Sequence, residues 1–177
     1  MRDPKVKALA YGAVSIALAF VLSYVKLFSM PMGGSITLLS MLPICLYASA
    51  FGPAYGFSAA FAYSLLQFVQ EPYFLNVWQL LLDYLLAFTC LGLASLFPGK
   101  LALGIGVSGF ARLMCSVFSG VLFYAEYAAE AGYQSAWLYS FAYNGSSLGV
   151  DALICVIVAL LPPVASLTRH IKGIEKA

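Results

Sequence analysis

The sequence predicts an all-α integral membrane protein with six transmembrane helices and little chain outside the bilayer. Hydrophobic residues make up 63% of its 177 positions and charged residues only 9%, and the mean hydropathy is +0.93. Soluble domains carry roughly 25% charged residues, so this composition cannot cover a water-facing surface. Because one helical crossing takes about 20 mostly apolar residues, the length allows about six crossings.

Proline, glycine and polar clusters interrupt the apolar sequence and mark the ends of six runs. The predicted spans are 8–28, 36–50, 54–69, 75–97, 101–124 and 137–167. Together they predict a single transmembrane domain over residues 1–177. The second run is short and contains Pro43, which predicts a kinked or partly re-entrant start.

The basic residues collect on one side of a six-span arrangement. That side carries Arg2, Lys5, Lys7, Lys100, Arg169, Lys172 and Lys176. The opposite side carries Glu71, Glu126 and Glu130, and its only basic residue is Lys26. Since basic loops stay in the cytoplasm, both termini are predicted to be cytoplasmic, in a multi-pass protein of the plasma membrane.

Three ionisable residues lie inside apolar runs, where a charge usually has a partner or a function. Arg112 and Asp151 fall near the predicted midplane, whereas Asp83 lies about 12 Å below the outer boundary at 1.5 Å per residue. Arg112 therefore has two candidate partners, Asp151 and Asp83. We expect a structural ion pair with Asp151, which leaves the Asp83 carboxylate for a ligand.

Tyrosines at a similar depth to Asp83 indicate a cation site, because aromatic faces attract cations. They are Tyr73, Tyr84, Tyr124 and Tyr139. Arg112, Ser116 and Gly120 share one helix face at a spacing of four, which either forms a helix interface or lines a pocket with Arg112 as its floor. The Asn144 amide needs partners in a dry setting, and either a heteroaromatic amine or the neighbouring backbone would satisfy it.

Catalytic and metal-binding patterns are missing from the sequence. The only histidine is His170, near the end of the chain, and the four cysteines form no C-x-x-C or Cys/His spacing. No phosphate loop of the Gly-x-x-x-x-Gly-Lys type occurs. The net charge of +2 makes nucleic acid an unsuitable partner. The sequence therefore predicts no enzyme, no metal and no cofactor.

Four segments resemble the thiamin-specific S components of energy-coupling factor (ECF) vitamin transporters. These are 31–35 leading to Pro43, 79–84, 112–120 and 139–144. The resemblance implies the S-component fold, with a pocket near the outer face capped by the loop after the first helix. The thiamin-contacting positions it implies are Tyr73, Asp83, Tyr84, Ser116, Gly120, Tyr124, Tyr139 and Asn144.

The resemblance also implies partners. Ala13 and Ala17 match an Ala-x-x-x-Ala surface through which S components dock on a transmembrane scaffold subunit that carries two cytoplasmic ATPases. Two positions depart from the family: Ser116 stands where a histidine is usual, and Gly34 where some members have a tryptophan. These departures leave a thiamin precursor or another vitamin as an alternative ligand. A proton-coupled secondary transporter and a non-transporting membrane scaffold are further alternatives.

Overall fold

The computed structural model describes residues 4–29, 35–70, 72–73 and 75–176, most of them helical. In chain order the helices are α1 (Pro4–Tyr24), α2 (Leu42–Phe51), α3 (Pro53–Gln70), α4 (Val77–Leu96), α5 (Leu101–Phe123), α6 (Ala125–Glu130), α7 (Ala136–Leu160) and α8 (Pro162–Lys176). The strands β1 (Lys26–Ser29) and β2 (Ser35–Thr37) form an antiparallel pair. Arg2, Gly34 and Glu71 lie outside the described residues.

Four of the described helices are long and apolar enough to cross a membrane: α1 over Lys5–Tyr24, α4, α5 and α7. Helix α2 is apolar but only 10 residues long. It joins the 18-residue α3 at Gly52, whose φ of +84° favours glycine. The protein is therefore a helical, multi-pass membrane protein, while six crossings and the orientation of the termini stay predictions.

The predicted bounds of the first two spans are wrong. The run 8–28 continues past the end of α1 at Tyr24, because Lys26–Ser29 pairs with Ser35–Thr37 as a hairpin. The run 36–50 starts in that hairpin, and its helix begins only at Leu42. Pro43 lies in the first turn of α2, where the missing N–H breaks no helical hydrogen bond.

The last predicted span, 137–167, is also wrong as one continuous helix. It divides at Leu161, which has an extended conformation with ψ of 139° between α7 and α8. The next residue is Pro162, and a proline disfavours helical geometry in the residue before it. The loop predicted before this span also contains α6. By contrast, α3, α4 and α5 end within two residues of their predicted runs.

Close helix contacts depend on small residues, as is usual in membranes. A Cβ added to Gly56 of α3 would lie 2.7 Å from the Ala48 Cβ of α2. A Cβ added to Gly109 of α5 would lie 2.7 Å from the Ala152 Cβ of α7. These contacts hold the helices around a core that includes the fully buried Tyr63.

Two helices contain wide π-helical turns. In α4 the turn covers Leu81–Leu86, and the Ala87 N–H bonds to the Leu82 carbonyl, five residues back. In α7 it covers Gly145–Gly149. Such turns are rare and often mark functional positions, because they change the direction in which nearby side chains point. Here they contain Asp83 and directly follow Asn144.

Candidate functional site

A polar cavity of about 850 Å³ lies among the hairpin and helices α1, α3, α4, α5, α6 and α7. The structure brings all eight predicted ligand positions to its wall. They are Tyr73, Asp83, Tyr84, Ser116, Gly120, Tyr124, Tyr139 and Asn144. Arg112 also lines it, so one helix face of α5 contributes residues 112, 116 and 120 as their spacing predicts.

Asp83 is held at this wall by two hydrogen bonds to one of its carboxylate oxygens. Gln79 Nε2 donates to Asp83 Oδ2 at 2.9 Å, and Ser119 Oγ donates to the same atom at 2.8 Å. Hydrogen bonds to a charged acceptor are stronger than those between neutral groups. Asp83 is therefore oriented by two neutral donors.

Arg112 is placed against Asp151. The distance from Arg112 Nη1 to Asp151 Oδ2 is 3.8 Å, with side-chain exposures of 12% and 2%. Thr37 of β2 donates to Asp151 Oδ1 at 3.2 Å. The guanidinium carbon also lies 4.2 Å from the centroid of the Phe88 ring. The structure thus pairs Arg112 with Asp151, which the hairpin also contacts, rather than with Asp83.

Tyrosines from three segments line the cavity. The Tyr73 and Tyr124 rings stack with centroids 6.2 Å apart, and Tyr124 stacks on Tyr127 at 5.9 Å. The Tyr73 N–H donates to Tyr84 Oη at 3.2 Å. A hydrogen bond with Tyr127 raises the pKa of the Tyr73 hydroxyl, which keeps it neutral. This part of the cavity wall therefore presents uncharged aromatic faces, which attract cations.

Asn144 is anchored by the backbone, one of the two outcomes that the sequence left open. Its Nδ2 donates to the Ser140 carbonyl at 3.0 Å, to Ser140 Oγ at 3.2 Å and to the Ser116 carbonyl at 3.4 Å. Among the described residues no hydrogen bond reaches its Oδ1. Since Asn144 lines the cavity, this oxygen can accept a hydrogen bond from a ligand amine.

Gly120 has a packing role at the point where α5 and α7 approach each other. A Cβ added there would collide with Ser140 Oγ and would lie 3.1 Å from Ser140 Cβ. The same serine donates to the Val117 carbonyl at 3.0 Å and accepts from Asn144. Gly120 therefore supports the site through this contact as well as by lining the wall.

Several residues in or beside the cavity were missed by the sequence reasoning. Gln79 was visible in principle, because it precedes Asp83 by four residues on one helix. Tyr127 was visible in a similar way, because it follows Tyr124 by three residues. Ser119 and Thr37 carry no comparable signal, since their partners Asp83 and Asp151 are distant in sequence. A polar cluster joins α1 to α3: Gln67 Nε2 donates to Ser23 Oγ at 3.0 Å, and Ser23 Oγ donates to Gln70 Oε1 at 2.7 Å.

The predicted docking residues lie away from the cavity. Ala13 and Ala17 are exposed on α1, next to exposed apolar residues such as Val14 and Leu18. In the described part of the chain, no three His, Cys, Asp or Glu side chains are grouped so that they could hold a metal ion.

A multi-pass membrane protein with a polar, carboxylate-bearing cavity belongs to the class of membrane proteins that bind small solutes. Comparison with known proteins gives the family. Residues 9–171 match the model of the thiamine transporter protein family, Thia_YuaJ. The thiamine transporter ThiT of Bacillus subtilis is 30% identical over 173 residues, covering 84% of this chain and 86% of that protein.

The fold has a counterpart among solved structures. ThiT from Listeria monocytogenes superimposes with a TM-score of 0.79 at 24% identity, covering 98% of this chain and 99% of that one. The family match covers most of the sequence, so the chain belongs to the thiamine transporter protein family. It is accordingly a transporter and not an enzyme.

Proposed function

We propose that the protein is the thiamin-binding S component of an ECF-type importer in the plasma membrane of a prokaryote. The observation that carries the proposal is Asp83, a carboxylate held by Gln79 and Ser119 at the wall of a tyrosine-lined cavity. Membership of the thiamine transporter family supports the same substrate. Both termini are proposed to face the cytoplasm, which opens the cavity to the outside.

The chemistry of thiamin fits this cavity group by group. Its thiazolium ring is a permanent cation, which suits a carboxylate together with the faces of Tyr73 and Tyr124. Its aminopyrimidine carries an amine, which can donate to Asn144 Oδ1. The volume of about 850 Å³ is within the range of ligand pockets, roughly 300–1,000 Å³.

Substitution of Asp83 tests the binding proposal. Titration calorimetry on the detergent-purified protein should show thiamin binding. Asp83→Asn should weaken binding by at least about tenfold, since removing a charged partner costs about 1.5–3 kcal/mol. Ser108→Ala is a matched control, because Ser108 is buried in α5 outside the cavity lining. Equal affinity of Asp83→Asn and the unsubstituted protein would contradict the proposal.

The identity of the vitamin is tested in the same experiment. Ser116, which replaces the usual histidine, lines the cavity and accepts from Asn144 through its carbonyl. Binding of a thiamin precursor or another vitamin, with no heat from thiamin at high micromolar concentration, would keep the S-component class and change the substrate.

The proposed partners are a transmembrane scaffold subunit and two cytoplasmic ATPases. The support is the exposed pair Ala13 and Ala17 on α1, because small residues let another helix approach closely. Tryptophan at both positions should abolish uptake in cells and leave thiamin binding to the purified protein unchanged. Leu153→Trp, at an exposed position of α7, is the control. Uptake in a host without the scaffold and ATPases would instead favour a proton-coupled transporter.

A further inference from the structure

Two buried side chains next to Asp83 hold its carboxylate. Gln79 and Ser119 are 1% and 0% exposed. Gln79 belongs to α4, one turn before Asp83, whereas Ser119 reaches it from α5. Both donate to Asp83 Oδ2, at 2.9 Å and 2.8 Å. Among the described residues no hydrogen bond reaches Asp83 Oδ1.

The orientation of the Gln79 amide is itself determined by its neighbours. Gln79 Oε1 accepts from the Leu75 N–H at 3.3 Å, so its Nε2 is the group that turns to the carboxylate. The Gln79 backbone N–H donates to Asn76 Oδ1 at 2.9 Å, which caps the start of α4. The short segment before α4 thereby sets the direction in which the amide donates.

There is also a physical reason why Asp83 accepts from two uncharged donors, Gln79 and Ser119. A carboxylate in a poorly solvated setting needs hydrogen bonds to remain charged. A cationic partner such as Arg112 would supply them but would cancel the charge that attracts a cationic ligand. An amide and a hydroxyl stabilise the anion and leave its net charge unchanged. Arg112 is meanwhile placed beside Asp151.

We propose that Gln79 and Ser119 are positioning residues that make the cavity selective for a cationic ring. They bind Asp83 Oδ2, keep the group anionic and present Oδ1 to the ligand. This inference rests on the proposed thiamin function and deepens it. Its specific consequence is that the two residues govern discrimination between a cation and a neutral molecule of the same shape, beyond their effect on stability.

The test compares thiamin with its neutral 3-deaza analogue, in which a thiophene replaces the thiazolium ring. Affinities for both are measured by calorimetry on the unsubstituted protein, Ser119→Ala, Gln79→Leu and the control Ser108→Ala. Ser119 and Ser108 are both serines of α5 with 0% exposure, so loss of a buried hydroxyl is matched. Ser119→Ala removes a single oxygen and is the variant on which the test depends if Gln79→Leu does not fold.

The expected result is a reduced preference of the two variants for thiamin over the neutral analogue. Ser119→Ala and Gln79→Leu should each bind thiamin about tenfold more weakly, the equivalent of one charge-assisted hydrogen bond, while affinity for the analogue stays within about threefold. In an Asp83→Asn background the same substitutions should have no further effect on thiamin, because coupled residues are not additive.

Two outcomes would overturn the inference, and they differ from failure of the proposed function. Equal losses for thiamin and the analogue would reduce Gln79 and Ser119 to a structural role. If Ser119→Ala and Gln79→Leu still weaken thiamin binding about tenfold in the Asp83→Asn background, the two residues do not act through Asp83. If the unsubstituted protein binds no thiamin, the proposed function fails and this inference fails with it.

Discussion

Replacing Gly120 by alanine should push α5 and α7 apart at the cavity wall. The new Cβ would collide with Ser140 Oγ and lie 3.1 Å from Ser140 Cβ and 3.6 Å from Asn144 Nδ2. Overpacking of this kind costs about 1–3 kcal/mol. Because Ser140 also positions the Asn144 amide at 3.2 Å, the displacement should reach the ligand site as well.

A matched glycine on the same helix separates this cost from helix propensity. Gly106 of α5 has no atom within 4 Å of an added Cβ, so Gly106→Ala should only gain the helical preference of alanine, about 1 kcal/mol. Gly120→Ala has the same gain, and the difference between the two variants therefore measures the overpacking. At about 2–4 °C per kcal/mol for a chain of this size, that difference is about 2–12 °C in Tm.

The assay is thermal unfolding of the purified protein in detergent, followed by thiamin titration. Gly120→Ala should melt below Gly106→Ala and bind thiamin about tenfold more weakly, a loss of about 1.4 kcal/mol. The double variant Gly120→Ala/Ser140→Gly removes both colliding atoms and should recover part of the Tm. Equal Tm values and equal affinities for the two single variants would refute the close approach of α5 and α7.

Three further substitutions test a buried ion pair, a helix cap and a helix contact by the same thermal assay. Arg112→Met should cost about 3–5 kcal/mol by leaving Asp151 buried and unpaired, whereas Arg112→Met/Asp151→Asn should recover most of it. Asn76→Ala removes the cap of α4 and should cost about 1 kcal/mol. Gly56→Ala should cost about 1–3 kcal/mol, because its Cβ would lie 2.7 Å from the Ala48 Cβ.

Each of these expectations can fail separately. A double variant at Arg112 and Asp151 that is no more stable than Arg112→Met would contradict the pairing of the two charges. An unchanged Tm for Asn76→Ala would mean that α4 starts without its cap. A Gly56→Ala variant as stable as Gly106→Ala would contradict the close contact of α2 and α3.

Part of the site was visible in the sequence because charges are conspicuous in apolar runs. Asp83, Arg112 and Asp151 could be selected on this ground alone, and the four-residue spacing placed Ser116 and Gly120 beside Arg112. Gln79 could be selected only through its four-residue spacing from Asp83, and Ser119 could not be selected at all. Uncharged polar residues are common in such runs, and a link between α4 and α5 is not visible in either segment alone.

The limits of the fold prediction have similar causes. The segment Lys26–Ser29 continues an apolar run, and its strand depends on pairing with Ser35–Thr37, which hydropathy does not register. The division at Leu161 was visible in the two prolines that follow it, but the surrounding hydropathy outweighed that signal. In both cases the hydropathy averaged over neighbouring residues concealed a local feature of the backbone.

The sequence by itself determined that this is a helical membrane protein with a carboxylate among tyrosines, because the bilayer restricts composition strongly and makes each charge stand out. Only the tertiary structure decided how that carboxylate is used. The wide turn over Leu81–Leu86 sets its direction, Ser119 of a neighbouring helix binds it, and Arg112 is placed beside Asp151. Such choices depend on distances between helices, and those distances are set by packing at residues such as Gly120.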